Sequence, residues 1–371
     1  MHDSTPITVI RLHLYRFKMF ADVAMDFVPG VNLVKGRNAS GKTTVFQAID
    51  VFKHLALGNI GNFYQNTNQF AHSLQFKDQP QLKMELFLRA GDQVYAWLVH
   101  WDVGGGFLVK ERVCWGSSLN ALRPLWIYED GQIQPIEPGL VMENKGTGFI
   151  FQNSMHCHYQ FRETHGLAWR ACLLVKRWAR GMNRLDILDP SLLAGPSHKE
   201  RTPAFGTRGH QFAAFLAGLS PRERREVNER MRGYDSDWER FYLMGQPGNQ
   251  VSLKYREAIP GTPKRAFALA GAGQRRLLAL ATIPCFPPHT TMVVIEEFES
   301  GIDAGLLPYI LQDLKRAPFQ IVATTYIGDI DLSDCHVLNF AKEAGQVYPR
   351  VSLPEASRRE GHLKTEVGCG G

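Results

Sequence analysis

At 371 residues the chain is long enough to bury a full core, as one large or two moderate domains. Hydrophobic residues make up 44% and charged ones 21%, ordinary globular values that argue against a disordered or membrane-embedded protein. The formal net charge of +6 fits contact with nucleic acid but is too modest to establish it.

The N-terminus, Met1 to Pro6, lacks a charged-then-apolar signal layout, which points to a cytoplasmic protein without a membrane partner. Ile10, Leu12 and Leu14 alternate with polar residues, as do Val23, Met25 and Phe27, so residues 7–34 read as strands. They lead into Gly36-Arg37-Asn38-Ala39-Ser40-Gly41-Lys42-Thr43, which fits the phosphate-binding pattern G-x-x-x-x-G-K-[ST] at every defined position. Val45, Ala48, Ile49 and Phe52 then follow at helical spacing, completing strand, loop and helix. In such a loop the backbone of residues 36–44, with Asn38, Ala39, Ser40 and Thr44, surrounds the phosphates of ATP. Lys42 adds a full positive charge and the Thr43 hydroxyl holds Mg²⁺.

Beyond this helix, Leu82, Met84, Leu86 and Leu88 alternate, Ala90-Gly91-Asp92 turns the chain, and the runs 94–101, 107–115 and 125–128 extend a block of antiparallel strands. From about residue 160 the period becomes helical, over 165–180 and 209–218, and Ser220-Pro221-Arg222-Glu223 is a capping box with proline at the first helical position. Asp189-Pro190 and residues 194–206 read as turn and loop, and strand character returns at Val251 to Tyr255. A glycine-rich turn and helix (269–282), an apolar strand (Met292 to Ile295), a helix (304–316) and a strand (320–324) follow in αβαβ order, which requires a largely parallel sheet. The expected organisation is an N-terminal nucleotide-binding lobe over 1–150, a mainly helical insertion over 151–260, a C-terminal lobe over 261–350 and a polar tail over 351–371. The six cysteines include no C-x-x-C pair, and His156-Cys157-His158 reads as ordinary packing, since neighbours on a strand point to opposite faces.

The apolar strand 292–295 ends in Glu296-Glu297, carboxylates at the carboxyl edge of a sheet, where one can help hold Mg²⁺ and the other can deprotonate the attacking water. Here the chain resembles the ABC-type ATPases, in the branch that contains RecF, the OLD nucleases and the SMC heads. Residues 295–303 resemble the Walker B run and D-loop, with Asp303 closing Ser300-Gly301-Ile302-Asp303. Ala270-Gly271-Ala272-Gly273-Gln274 resembles the signature L-S-G-G-Q, and residues 321–326 resemble the strand bearing the switch residue. The resemblance implies an ABC-ATPase head of α/β class: a mixed, largely parallel core sheet around the phosphate loop, an antiparallel β subdomain and a helical insertion lobe. It assigns Glu296 to the metal, Glu297 to the catalytic base, Tyr326 to the switch, and Gly271, Gly273, Gln274 and Asp303 to nucleotide contact. Gln152 would be the lobe-joining glutamine that reaches the metal, a strand-end glutamine without a ligand being the alternative. Three positions depart from the pattern: Glu296 stands for the usual aspartate, Gly271 for the signature serine and Tyr326 for histidine.

The resemblance further implies that two copies close head to head on ATP. Without heptads or a fused nuclease module, the output would be a clamp on DNA or control of a separate nuclease or toxin-like effector, in DNA maintenance or anti-phage defence. A rival reading is a nucleotide-gated binding protein whose hydrolysis is a slow reset. Arg16 and Lys18 resemble basic residues that approach the nucleotide in relatives, a solvated strand edge being the alternative. A helix through Leu173 to Arg184 would carry Lys176, Arg177, Arg180 and Arg184 as a basic stripe for duplex DNA, against a plain solvated face.

Overall fold

The computed structural model describes residues 5–67, 71–77, 79–104, 107–129, 132–135, 142–144, 159–161, 166–200, 202, 204–326, 335–343 and 346–352. The chain divides into two compact units, Met1–Met182 with Leu332–Gly371, and Asn183–Asp331. The first unit opens with β1 (Ile7–Phe17), β2 (Phe20–Asp26) and β3 (Val31–Gly36). In β1 a bulge between Val9 and Arg11 shifts the alternation. Val9, Leu12 and Leu14 are therefore fully buried, and Ile10, which alternates with Leu12 and Leu14 in the sequence, is not. Val31, Asn32, Leu33 and Val34 of β3 are all buried, as a strand covered on both faces requires. Buried Asn32 satisfies its amide locally, donating to the carbonyls of Val28 and Gly30 and accepting from Val28 N.

Helix α1 (Lys42–Leu57) buries Val45, Ala48, Ile49 and Phe52 completely, and Gly58, left-handed at φ 70°, ends it by donating to His54 and Leu55 carbonyls. Burying Val45, Ile49 and Phe52 stabilises the fold by about 1.5–3 kcal/mol each, and the Ala48 methyl by less. A short helix that periodicity did not reveal, α2 (Ile60–Thr67), follows. Then come β4 (Gln81–Ala90), β5 (Gln93–Asp102), β6 (Phe107–Gly116), β7 (Arg123–Glu129) and β8 (Gln132–Pro135), in an antiparallel seven-stranded sheet ordered β2-β1-β4-β5-β6-β7-β8. Its core includes Trp97, Trp101 and Trp126; Trp97 meets Phe52 edge-on at 5.0 Å and donates to buried Glu111 at 2.6 Å. The strands β9 (Met142–Asn144) and β10 (Tyr159–Phe161) form a separate antiparallel pair, and helix α3 (Leu167–Gly181) packs on α1.

In the second unit, β11 (Met182–Leu185) replaces the continuation of α3 expected up to Arg184: Gly181 ends the helix and the chain becomes extended. Asp189-Pro190 is a helix start rather than plain loop. The Asp189 carboxylate accepts from Ser191 N at 2.8 Å and Pro190 takes the first position of α4 (Pro190–Ala194). Strand β12 (Ser197–His198) and α5 (Phe212–Gly218) precede α6 (Pro221–Tyr234), where the predicted box forms between Ser220 and Glu223. The hairpin β13 (Trp238–Gln246) and β14 (Gln250–Glu257) turns through left-handed Gly248 and Asn249, and β15 (Arg265–Ala266) pairs with β14. A register shift between Trp238 and Arg240 hides β13 from an alternation reading.

The unit ends with α7 (Ala272–Thr282), β16 (Met292–Ile295), α8 (Leu307–Leu314) and β17 (Gln320–Thr325). Strands β16 and β17 are parallel and buried throughout. The chain then re-enters the first unit as β18 (His336–Glu343) and β19 (Gln346–Ser352). Strand β18 pairs in parallel with β3, from His336 opposite Asn32 to Phe340 opposite Gly36, and antiparallel with β19. Among the described residues no helix is long and apolar enough to cross a membrane.

Candidate nucleotide site

The phosphate loop lies between β3 and α1, as its pattern requires. Ala39 (φ 59°) and Gly41 (φ 95°) are left-handed, and Ser40 N closes the turn on Arg37 O at 3.2 Å. A Cβ at Gly41 would stand 2.7 Å from the Phe20 ring. One at Gly36 would stand 2.3 Å from Ser40 Oγ and 3.0 Å from Phe340 O. Glycine is thus demanded by the packing as well as by the phosphate. Arg37, Asn38, Ala39 and Thr43 form an exposed crest. Lys42 is 8% exposed and its ammonium donates to the carbonyls of Gly36 (2.7 Å) and Arg37 (3.0 Å). The charge therefore lies inside the loop, over the backbone that would hold a phosphate.

Helix α1 has no acidic residue in its first turn and no side-chain cap at Gly41, so its positive end is uncompensated. Ser40 Oγ is buried and has no hydrogen-bond partner among the described residues. A cradle that excludes Cβ atoms, an inward ammonium, an uncapped helix start and an orphaned hydroxyl together fit a polyphosphate. The turn between β1 and β2 packs against this loop. Lys18 is left-handed, its ammonium donates to Gln47 Oε1 in α1 at 2.8 Å, and burial lowers its pKa. Arg16 lies over the Tyr15 ring at 4.9 Å. Thr43 is exposed in the first turn of α1, compatible with a magnesium ion that keeps water and phosphate ligands. Among the described residues no group of three His, Cys, Asp or Glu side chains stands ready for a metal.

The remaining described candidates belong to the second unit. The backbone turns sharply after β16, with Glu297 left-handed at φ 46°, a strained conformation for a residue with a Cβ. Glu297 N donates to Thr324 Oγ1 at 2.8 Å, and Glu296 N to Leu185 O at 2.9 Å. The Glu296 carboxylate is 4.0 Å from the Arg184 guanidinium, whose Nε bonds Asp186 at 2.8 Å. Glu299, which sequence reasoning did not single out, is 2% exposed. Its Oε1 accepts from Thr325 Oγ1 and from Tyr326 N, both at 2.9 Å, while Oε2 is buried with no partner among the described residues. Burial raises the pKa of this carboxyl and the neighbouring Glu297 charge adds to the shift, against the hydrogen bonds it accepts. The Tyr326 side chain is about half exposed. The only sequence signal for Glu299 was a third acid in Glu296-Glu297-Phe298-Glu299.

Helix α7 begins at Gly271, whose N–H is capped by Gln274 Oε1 at 3.0 Å; Gln274 Nε2 donates to Asp235 at 2.7 Å. Arg276 joins this helix to the turn after the acids, donating to Ser300 O (2.8 Å) and Leu188 O (2.9 Å). Gly301 is left-handed, and a Cβ there would strike Arg276 at 2.3 Å; one at Gly273 would lie 3.0 Å from Gly301 O. Asp303 is exposed and caps its own turn through Gly305 N at 2.8 Å. Gln152 and the His156-Cys157-His158 group lie outside the described residues.

With these features in place, the family model described as "AAA domain, putative AbiEii toxin, Type IV TA system" matches residues 31–325, from the strand before the phosphate loop to the end of β17. The chain belongs to that family. As an AAA-domain protein of this kind it is similar to the DNA replication and repair protein RecF of Bifidobacterium longum subsp. infantis, at 22% identity over 93% of this chain and 85% of the relative. Two solved SMC heads share its fold. One is the SmcHead bound to the C-winged helix domain of ScpA (TM-score 0.51, 13% identity, 94% of this chain and 99% of that one). The other is the Pyrococcus furiosus-derived Smc head with an extended coiled coil, bound to the C-terminal domain of ScpA (TM-score 0.50, 12% identity, 95% and 98%). The AAA-domain chain is thus a RecF- and SMC-head-like P-loop ATPase in family and fold.

The basic stripe expected through Arg184 is shortened: Lys176, Arg177 and Arg180 lie on α3, but Arg184 does not. Arg177 donates to Thr5 O, and Arg184, on β11, is 11% exposed and ion-paired with Asp186.

Proposed function

We propose that this protein binds Mg·ATP on the loop of residues 36–44, hydrolyses it with Glu297 as base, and uses the ATP-bound state to close two copies head to head. The output is action on DNA, in maintenance or anti-phage defence, together with a separate effector. The observation that carries the reading is the phosphate loop itself: a cradle that admits no Cβ at Gly36 or Gly41, with Lys42 turned into it. Binding draws the Lys42 ammonium off its two carbonyls and onto the phosphates, where Ser40 Oγ and the uncapped helix start add donors. Thr43 and Glu296 would hold Mg²⁺, which would neutralise charge on the phosphates. Glu297 would take the proton of the attacking water, with Tyr326 at the switch position, and Gly271, Gly273, Gln274 and Asp303 would meet the nucleotide of the second copy. The relative named a replication and repair protein supports the DNA arm.

The test is ATP turnover by the purified chain with magnesium, followed by light scattering with and without ATP. Turnover that disappears in Glu297→Gln together with ATP-dependent dimerisation supports the reading; a monomer in every nucleotide state removes the head-to-head step. One observation favours the rival, a nucleotide-gated switch with slow hydrolysis. Gln274 is already bonded to Gly271 and Asp235, and Gly271 lacks a hydroxyl, so the signature turn must give up contacts before it meets a nucleotide. A single-turnover rate far below the rate of dimer formation would select that reading.

A further inference from the structure

A second group of cations lies outside α3, on the outward face of the β13–β14–β15 sheet in the second unit. Val251, Leu253 and Tyr255 of β14 point into the core, so Lys254 and Arg256 point out. Arg256 stands directly opposite Arg240 on β13, and Lys254 opposite Tyr242. Lys264, beside the first residue of β15, completes the group. The Tyr242 ring sits among these cations, with Lys264 Nζ 4.2 Å, the Arg240 guanidinium 4.9 Å and the Arg256 guanidinium 6.0 Å from its centroid. Arg240 Nε also donates to the Tyr242 hydroxyl at 2.8 Å. The acid that pairs with the group is Glu239, bonded to Arg256 and 3.5 Å from Arg240.

A like-charge pair directly across two strands destabilises a sheet, and a solvated surface ordinarily intersperses the two signs. Among the described residues four cations and one carboxylate, Glu239, meet on this face, leaving three positive charges for an external anion. Cations along a strand alternate at about 7 Å and across strands at about 5 Å, a flat array suited to successive phosphates. Because Tyr242 holds cations on its ring rather than presenting it for base stacking, the face suits a phosphodiester backbone and not splayed bases.

We propose that the outward face formed by Arg240, Tyr242, Lys254, Arg256 and Lys264 is the duplex-DNA contact surface of this protein. The contact is to phosphates, independent of sequence, and Tyr242 acts as a positioning residue that spreads the guanidinium and ammonium groups. This rests on the DNA arm of the function proposed above and is independent of its ATPase arm.

The experiment is fluorescence anisotropy of a labelled 30-bp duplex, a single strand of the same sequence and an RNA duplex, with the full-length chain, ATP and magnesium across a salt series. Arg240→Glu/Lys254→Glu/Lys264→Glu should weaken duplex DNA binding on the order of 10- to 100-fold. It should also lower the slope of log affinity against log salt by about three, one for each phosphate contact removed. The neutral Lys254→Gln/Lys264→Gln should give a smaller loss of the same kind, with unchanged thermal melting. Tyr242→Phe should hold affinity within a few fold, and Tyr242→Ala should lose more. ATP affinity should be the same in all variants. Arg170→Glu/Arg180→Glu on α3, a charge reversal outside the face, should leave DNA binding unchanged.

Duplex affinity and salt slope unchanged in the triple variant would overturn the proposal. So would equal losses in the α3 control, a loss confined to single-stranded DNA or to RNA, or no duplex binding by the wild-type chain at any salt. If the wild-type chain hydrolyses ATP but binds no DNA, the face fails while the ATPase reading stands. If DNA binds through this face without ATP turnover, the reverse holds.

Discussion

The phosphate loop and the acidic turn after β16 both aim polar groups through strained backbone, but they are held in different ways. At the loop the hydrogen bonding is local, the Lys42 ammonium bonding carbonyls five and six residues before it, and only the packing of Phe20 on Gly41 and of Phe340 on Gly36 comes from farther along the chain. At the acidic turn it is remote. Glu297 is fixed by Thr324, Glu299 by Thr325 and Tyr326, and Ser300 by Arg276 of α7. A locally held site survives as a consecutive motif, whereas a remotely held one depends on packing that no short pattern records.

The largest effect that separates the two regions should come from Lys42→Ala. Removing the ammonium from the loop should abolish ATP binding, a loss of ~100-fold or more in affinity for a fluorescent ATP analogue. Wild-type affinity in the variant would mean that the loop holds no nucleotide. Glu297→Gln should act on the second region alone, slowing hydrolysis by ~10²-fold or more while ATP stays bound, because the proposed base is lost and the phosphate cradle is not. Steady-state phosphate release and nucleotide titration on the same preparation check it, and undiminished release would reassign the base.

A smaller and purely mechanical effect should follow Gly41→Ala. The added methyl meets Phe20 at φ 95°, so the loop must shift, and stability should fall by about 1–3 kcal/mol in urea titration. A variant as stable as wild type would show that the loop is looser than its contacts imply.

The smallest effect is a slope. Burial holds the folded-state pKa of Glu299 above its ordinary 4.5, so the folded chain binds this proton more readily than the unfolded chain. Its contribution to stability is therefore fully present below the ordinary carboxylate range and is lost as pH rises through the folded value. Glu299→Gln cannot ionise, so across pH 4 to 8 the melting temperature of wild type should decline relative to that of the variant. A relative rise over that window would show that the folded chain prefers the ionised carboxylate.

The same contrast explains what could be read in advance. The strand, loop and helix around Lys42 and the capping box at Ser220 were legible because their determinants are neighbours in the chain. Bulges in β1 and β13 broke the alternation on which strand reading depends, so Ile10 falls off the buried face of Leu12 and Leu14 and β13 was not seen. Helix spacing placed Arg184 on the face of Arg177 and Arg180, but Gly181 ended that helix three residues too early. Glu299 was silent because its partners, Thr325 and Tyr326, come from another strand.

Strand β3 feeds the phosphate loop, and β18, which pairs with it, arrives only near the far end of the chain. During synthesis Lys42 leaves the ribosome early, yet Phe340, whose carbonyl closes on Gly36, must wait until the whole second unit has been made. A polypeptide cut short anywhere before residue 336 would lack that support beneath its ATP cradle, however complete its motifs.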